Sequence, residues 1–274
     1  MLPNFLVIGA QKSGTTSIYN VLRQHEQIFL PEVKEPNFFY KLSEYKKGIK
    51  YYESFFSLAR HGQICGEASP GYISNPKSIE LIHDHLPDCK LIVCLRNPID
   101  RAYSQYFDNR RSLNEWYTFD QCLQMCLSGN KKIAHRGYFK RGFYAQQLKH
   151  VLKYFDRSQL LVLLFDDLIS APELFYQCIL SFLNVEISLA GSNYYLKSNA
   201  LTAYKNPLYK FFLYSPNFNR YLNRITRRLV RFGKLVHIDK PEMSEWARRQ
   251  LRELYFEPNQ ELAELFGLDL SKWN

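Results

Sequence analysis

Long apolar runs are missing from this sequence of 274 residues. The first, residues 5–8, is far too short for the core of a signal peptide and leads straight into a glycine-containing turn, and no later segment has enough uninterrupted apolar residues to span a bilayer. A soluble, cytoplasmic protein is expected. Paired Cys-x-x-Cys motifs are missing too. Cys65, Cys89, Cys94, Cys122, Cys126 and Cys178 are scattered, and Cys94 falls inside an apolar stretch, which argues for reduced core thiols. Cys122 and Cys126 stand one helical turn apart, but no His or Cys follows at zinc-finger spacing, so no metal is expected. No stretch rich in Pro, Gly and Ser, no block of like charge and no internal repeat interrupts the chain, and residues 1–274 are read as one domain.

Apolar residues make up 46% of the chain and aromatics 16%, enough to bury a full core. The formal net charge of +10 favours anionic partners, a demand that nucleic acid, acidic glycan, phospholipid headgroups and nucleotides would all meet. Residues 5–8 read as a buried strand, followed by apolar positions at helical spacing (Ile18, Val21, Leu22). A second unit starts at Glu67-Ala68-Ser69-Pro70, runs through a helix over about 78–85 and reaches Leu91-Ile92-Val93-Cys94-Leu95. That run is continuous rather than alternating, as in a strand covered on both faces. A further strand at 160–164 follows a helical stretch at 144–154 and precedes Asp166-Asp167, which suit a helix N-terminus. Residues 242–266 read as a helix pair broken near Pro258. The alternation predicts an α/β protein, a central parallel sheet flanked by helices, with its ligand beyond the carboxyl ends of the strands.

Gly9-Ala10-Gln11-Lys12-Ser13-Gly14-Thr15-Thr16-Ser17 lies between a strand and a helix, where backbone N–H groups and the helix N-terminus can wrap an anion. The plain alternative is a tight turn that is merely rich in Gly and Thr. Nucleoside-triphosphatases place Lys directly after the second Gly of such a loop; here Thr15 holds that slot and Lys12 precedes Gly14, which speaks against a nucleotide kinase. The turn resembles the 5'-phosphosulfate loop of sulfotransferases that use 3'-phosphoadenosine 5'-phosphosulfate (PAPS). The segment from Leu91 to Tyr106 is similar to that family's 3'-phosphate element, and the resemblance gives Arg96 and Ser104 the 3'-phosphate. An Arg fork and a short hydroxyl suit a dianion, although each residue alone has an ordinary structural reading, an ion pair for Arg96 and a backbone bond for Ser104. Pro31-Glu32-Val33-Lys34-Glu35-Pro36-Asn37-Phe38-Phe39-Tyr40 resembles the heparan-sulfate-type branch, where a Glu before the Phe-Phe pair is the catalytic base. Glu35 takes that position; the alternative is a solvated carboxylate paired with Lys34.

The resemblance implies a P-loop-like sulfotransferase fold, PAPS as donor, its product adenosine 3',5'-bisphosphate (PAP), and a hydroxyl or amine acceptor on a glycan or small metabolite, without metal. Lys12 would counter charge on the leaving phosphate, and Lys12, Ser13, Gly14, Thr15, Thr16 and Ser17 would hold the donor. Arg141-Gly142-Phe143-Tyr144 and Leu254-Tyr255-Phe256-Glu257-Pro258-Asn259 extend the likeness. Heparan-sulfate 3-O-sulfotransferases carry a Lys where Ala68 stands, a His where Asn37 stands, and a disulfide-bearing hairpin without counterpart here. The likeness therefore reaches the donor chemistry rather than heparan recognition. Phe38, Phe39, Tyr40, Tyr51 and Tyr52 suit stacking on a sugar or planar metabolite, or ordinary core packing. The variable basic and aromatic region, about 197–240, includes Lys197, placed near the 3'-phosphate, and Arg220, Arg224, Arg227, Arg228 and Arg231 at roughly helical spacing. Those arginines fit a solvated face, a peripheral membrane contact, or a non-enzymatic nucleic-acid binder, the last leaving Glu35 and the glycine turn unexplained; no nucleic acid is expected.

Overall fold

A computed structural model describes residues 1–130, 137–187, 202–204, 206–215, 231, 235–237 and 239–273. In chain order its first elements are β1 (Phe5–Gly9), α1 (Thr15–Leu22), β2 (Ile28–Phe29), α2 (Leu42–Tyr45), α3 (Ile49–Ser54), β3 (Ile64–Ala68), α4 (Pro76–His85) and β4 (Lys90–Leu95). There follow α5 (Pro98–Arg111), α6 (Phe119–Leu127), α7 (Tyr144–Val151), β5 (Leu160–Leu164), α8 (Phe165–Ser170), α9 (Pro172–Leu183), β6 (Thr202–Tyr204), α10 (Pro207–Tyr214), β7 (Leu235–His237) and α11 (Glu245–Phe266). The chain falls into two compact units: Met1–Arg96, Tyr144–Leu196 and Glu261–Asp269 form one, and Asn97–Phe143, Lys197–Gln260 and Leu270–Asn274 the other.

The first unit is built on a five-stranded sheet in the order β2-β3-β1-β4-β5, parallel throughout. β1 is buried along its whole length and β4 from Leu91 onward, which is why both read as continuous apolar runs. On one face, Val7, Ile92 and Cys94 pack with Ile18 and Leu22 of α1 and Ile179 of α9. β3 lies outside the sequence expectation, because its Gly66 and Glu67 are poor strand markers. The glycine is required by packing: a Cβ there would lie 2.2 Å from the ring of Phe5, its register partner.

The second unit contains α5 and α6, the antiparallel pair β6 and β7, and α10. Asn97 caps α5 by accepting from Ile99 N, and Pro98 opens its first turn. Two α5 arginines are buried: Arg101 donates to Gln105 Oε1 and to the carbonyl of Tyr138, and Arg110 to the carbonyls of Glu115, Phe212 and Leu213. The expected break at Pro258 does not occur. α11 runs through it, with Leu251 and Tyr255 before the proline and Leu262 after it all buried, so burial on both sides outweighs the one lost backbone bond. None of the six cysteines, all among the described residues, forms a disulfide; Cys178 is exposed and Cys126 partly so, which corrects the reading of every thiol as core. Among the described residues no group of His, Cys, Asp and Glu is arranged to hold a metal, and no helix is long and apolar enough to cross a membrane.

Gly66→Ala should lower unfolding free energy by about 1–3 kcal/mol through overpacking against Phe5. A urea midpoint shifted down, and partly recovered by adding Phe5→Leu, is the expected result.

Candidate active site

β1 is flanked by β3 and β4, and the strands that follow in sequence lie on opposite sides of it, which makes its carboxyl end the switch point of the sheet. The turn that leaves it is drawn against β4 by Ala10 N donating to Cys94 O at 2.8 Å and closes on itself through Ser13 N to Ala10 O at 3.2 Å. Lys12 (φ 70°) and Gly14 (φ 82°) both adopt left-handed backbone. At Gly14 a Cβ would also meet Leu168 Cδ2 at 2.6 Å, so no other residue fits. Gly14 is the N-cap of α1 and offers no side-chain cap, and the first amides of a helix have no intrahelical partner. The Ser13 hydroxyl is buried and finds no hydrogen-bond partner among the described residues. A buried hydroxyl beside an uncapped helix N-terminus, in a glycine turn, is the donor set of an anion site.

Arg96, immediately after β4, is brought to this turn. Its Nη1 donates to Lys12 O at 3.4 Å, its guanidinium lies 4.8 Å from the ring centroid of Phe165, and Tyr144 Oη donates to its carbonyl at 2.9 Å. The geometry thus joins Lys12, Ser13, Gly14, Thr15, Thr16, Ser17 and Arg96 in one place.

Glu35 lies on a loop tied to α1 by Tyr19 Oη, which donates to Pro31 O at 2.6 Å. Its carboxylate is exposed and pairs with Lys34 Nζ at 2.8 Å, the structural alternative read from the sequence. Asn37 turns the loop with φ 53° and donates from Nδ2 to the Glu35 carbonyl at 2.9 Å. Phe38 and Phe39 are buried with Tyr52, Phe38 stacking on it at 4.6 Å. These three rings are core and not an acceptor surface, because the chain turns them inward behind Glu35.

The sequence reading missed Glu67 as a functional candidate. Fully buried at the end of β3, its Oε1 accepts from Tyr52 Oη at 3.2 Å and Tyr72 Oη at 2.7 Å, and its Oε2 from Ser69 Oγ at 2.7 Å. Burial pushes its carboxyl up to about 7, against the pull of the three hydroxyl bonds, and the charge of Glu35 adds to the rise. A Glu inside an otherwise apolar strand, followed by Ser-Pro, was the available signal.

Ser104 is buried in α5, in the second unit, where its Oγ accepts from Lys240 Nζ at 3.4 Å. Lys197 and four of the five arginines, Arg220, Arg224, Arg227 and Arg228, lie outside the described residues; Arg231 is exposed and donates to Ser112 O at 3.4 Å. The two distant landmarks of the family likeness meet within the second unit: a Cβ on Gly142 would lie 2.7 Å from Tyr255 Oη, which donates to Phe139 O at 2.7 Å.

A parallel sheet with an anion turn after its first strand defines the class of phosphate-loop α/β proteins. Within it, the sulfotransferase domain family matches residues 2–255, and the chain belongs to that family. Human heparan sulfate glucosamine 3-O-sulfotransferase 6 is 33% identical over 174 residues, 62% of this chain and 48% of that protein, so the chain spans about half the length of this relative. A sulfotransferase from Alicyclobacillus acidocaldarius superposes with a TM-score of 0.72 at 25% identity, covering 100% of this chain and 99% of that one. Mouse sulfotransferase SULT7A1, solved in complex with PAP, shares the fold with a TM-score of 0.53 at 16% identity, covering 93% of this chain and 83% of that one.

Ser13→Ala removes a buried hydroxyl without a partner and should stabilise the ligand-free protein by roughly 1 kcal/mol, seen as a higher denaturant midpoint. A lower midpoint would mean that the hydroxyl is satisfied.

Proposed function

We propose that the chain transfers a sulfuryl group from PAPS to a hydroxyl or amine on a glycan or small metabolite, releasing PAP. The observation that carries this reading is the buried, unpartnered Ser13 hydroxyl at the uncapped start of α1, with Arg96 bonded to the same turn. Family membership supports sulfuryl transfer, and the PAP bound by the mouse fold relative supports the nucleotide.

In this scheme the α1 amides and Ser13 Oγ hold the 5'-phosphate, while Arg96 supplies a fixed cation for the 3'-phosphate. Glu35 accepts the acceptor's proton as the new bond to sulfur forms. The bond from sulfur to the bridging oxygen breaks, and Lys12 neutralises the charge left on that oxygen. The Lys34 ion pair opens to admit the acceptor, an exchange that is cheap for an exposed pair. The departures at Ala68 and Asn37 leave a glycan and a small metabolite equally matched as acceptor.

Isothermal titration tests the donor site. PAP should bind without metal and more tightly than AMP or ATP with Mg²⁺. Arg96→Ala should weaken PAP roughly tenfold to a hundredfold and leave AMP nearly unchanged, the loss of one charged hydrogen-bonding group. Ser104→Ala and Lys197→Ala, titrated alongside, read the roles the family likeness gives them. Preference for ATP with Mg²⁺, or no nucleotide binding, would overturn the reading.

A further inference from the structure

The Glu35 loop is held by two hydroxyl bridges that end on one carboxylate. Asn37 N donates to Ser69 Oγ at 3.0 Å, and Ser69 Oγ donates to Glu67 Oε2 at 2.7 Å. Phe39 N donates to Tyr72 Oη at 3.4 Å, and Tyr72 Oη donates to Glu67 Oε1 at 2.7 Å. An amide can only donate. Each hydroxyl must therefore turn a lone pair to the loop and its hydrogen to Glu67, so both bridges share one direction. The ionised carboxylate presents only lone pairs at both oxygens and accepts in that direction throughout. We infer that Glu67 is a positioning residue for Glu35: its negative charge orients Ser69 and Tyr72 so that their lone pairs hold the backbone at Asn37 and Phe39, and its protonation reverses the Ser69 bridge. The catalytic meaning of this switch rests on the reading of Glu35 as the base; the bridges themselves do not.

Protonation has a defined place to act. Oε1 already accepts from Tyr52 and Tyr72, so the proton goes to Oε2, opposite Ser69 alone. The Ser69 oxygen then accepts from Glu67 with one lone pair while the other still faces the Asn37 amide, and its own hydrogen turns to a different acceptor. Asn37 keeps its acceptor but faces a hydroxyl polarised the other way, and its side chain passes that change to the Glu35 carbonyl, to which Nδ2 donates at 2.9 Å. The groups facing Glu67 are Tyr52 from α3, Tyr72 from the turn after β3, Cys89 from the turn before β4, and the charge of Glu35. The tyrosines and the thiol are all pushed up by burial and stay neutral, so among these four buried groups Glu67 alone changes charge near neutrality.

The test follows the backbone amides of Asn37 and Phe39 by ¹H–¹⁵N NMR on the full chain across neutral pH, with neither donor nor acceptor present. The Asn37 amide should shift with a midpoint near 7, and that of Phe39, whose bridge ends on Oε1, by less. Glu67→Gln, which keeps the volume but places a donor on the carboxyl, should abolish both titrations. Ser69→Ala, which leaves Glu67 in place, should abolish the Asn37 titration and keep that of Phe39. A titration of these amides that persists in Glu67→Gln would overturn the proposal. Flat amides in the folded wild type would overturn it as well. Neither result depends on PAP binding, so failure here and failure of the sulfotransferase reading are separately visible.

Discussion

β1 has no free edge and no free face. It pairs with β3 on one side and β4 on the other and is buried throughout, so the chain can leave it only at its carboxyl end. That exit carries Gly9, whose Cβ would lie 2.4 Å from Ile73, and Gly14, whose left-handed backbone and contact with Leu168 exclude any side chain. The turn is therefore narrow by construction, and it delivers the start of α1 at the switch point of the sheet with its amides uncapped. Arg96 reaches the same place because β4 ends beside β1 in parallel register. Strand pairing thus sets out the donors of the proposed anion site before any ligand is considered.

The second constraint is a buried carboxylate. Glu67 ends the strand on the other side of β1 and gathers three hydroxyls, two of which hold the backbone beside Glu35. Leaving such a group without partners would cost several kcal/mol, so the loop and the acid depend on each other. The two edges of β1 thus support different halves of the proposed chemistry: β4 and Arg96 on the nucleotide side, β3 and Glu67 on the side of the base.

Much of this was legible in the sequence where residue type alone decides. β1, β4 and β5 are continuous apolar runs, and the Gly9 to Ser17 turn carries the glycines its backbone requires. β3 was not legible because Gly66 and Glu67 answer to partners distant in sequence, the ring of Phe5 and the hydroxyl of Tyr52. Phe38, Phe39 and Tyr52 could equally have been a stacking surface or a core, and only their mutual contacts decide for the core. Pro258 marks a helix end in most sequences; in α11 burial on both sides of it holds one helix together. Glu35 was legible only through family resemblance, since its exposed pairing with Lys34 looks like any surface ion pair.

The central claim is that the turn after β1, with Arg96 beside it, is the donor site. A crystal structure of the protein with PAP tests it most directly. The account predicts the 5'-phosphate within hydrogen-bond distance of the α1 amides and of Ser13 Oγ, and the 3'-phosphate against the Arg96 guanidinium. PAP seated elsewhere, with the Ser13 hydroxyl still without a partner, would contradict it.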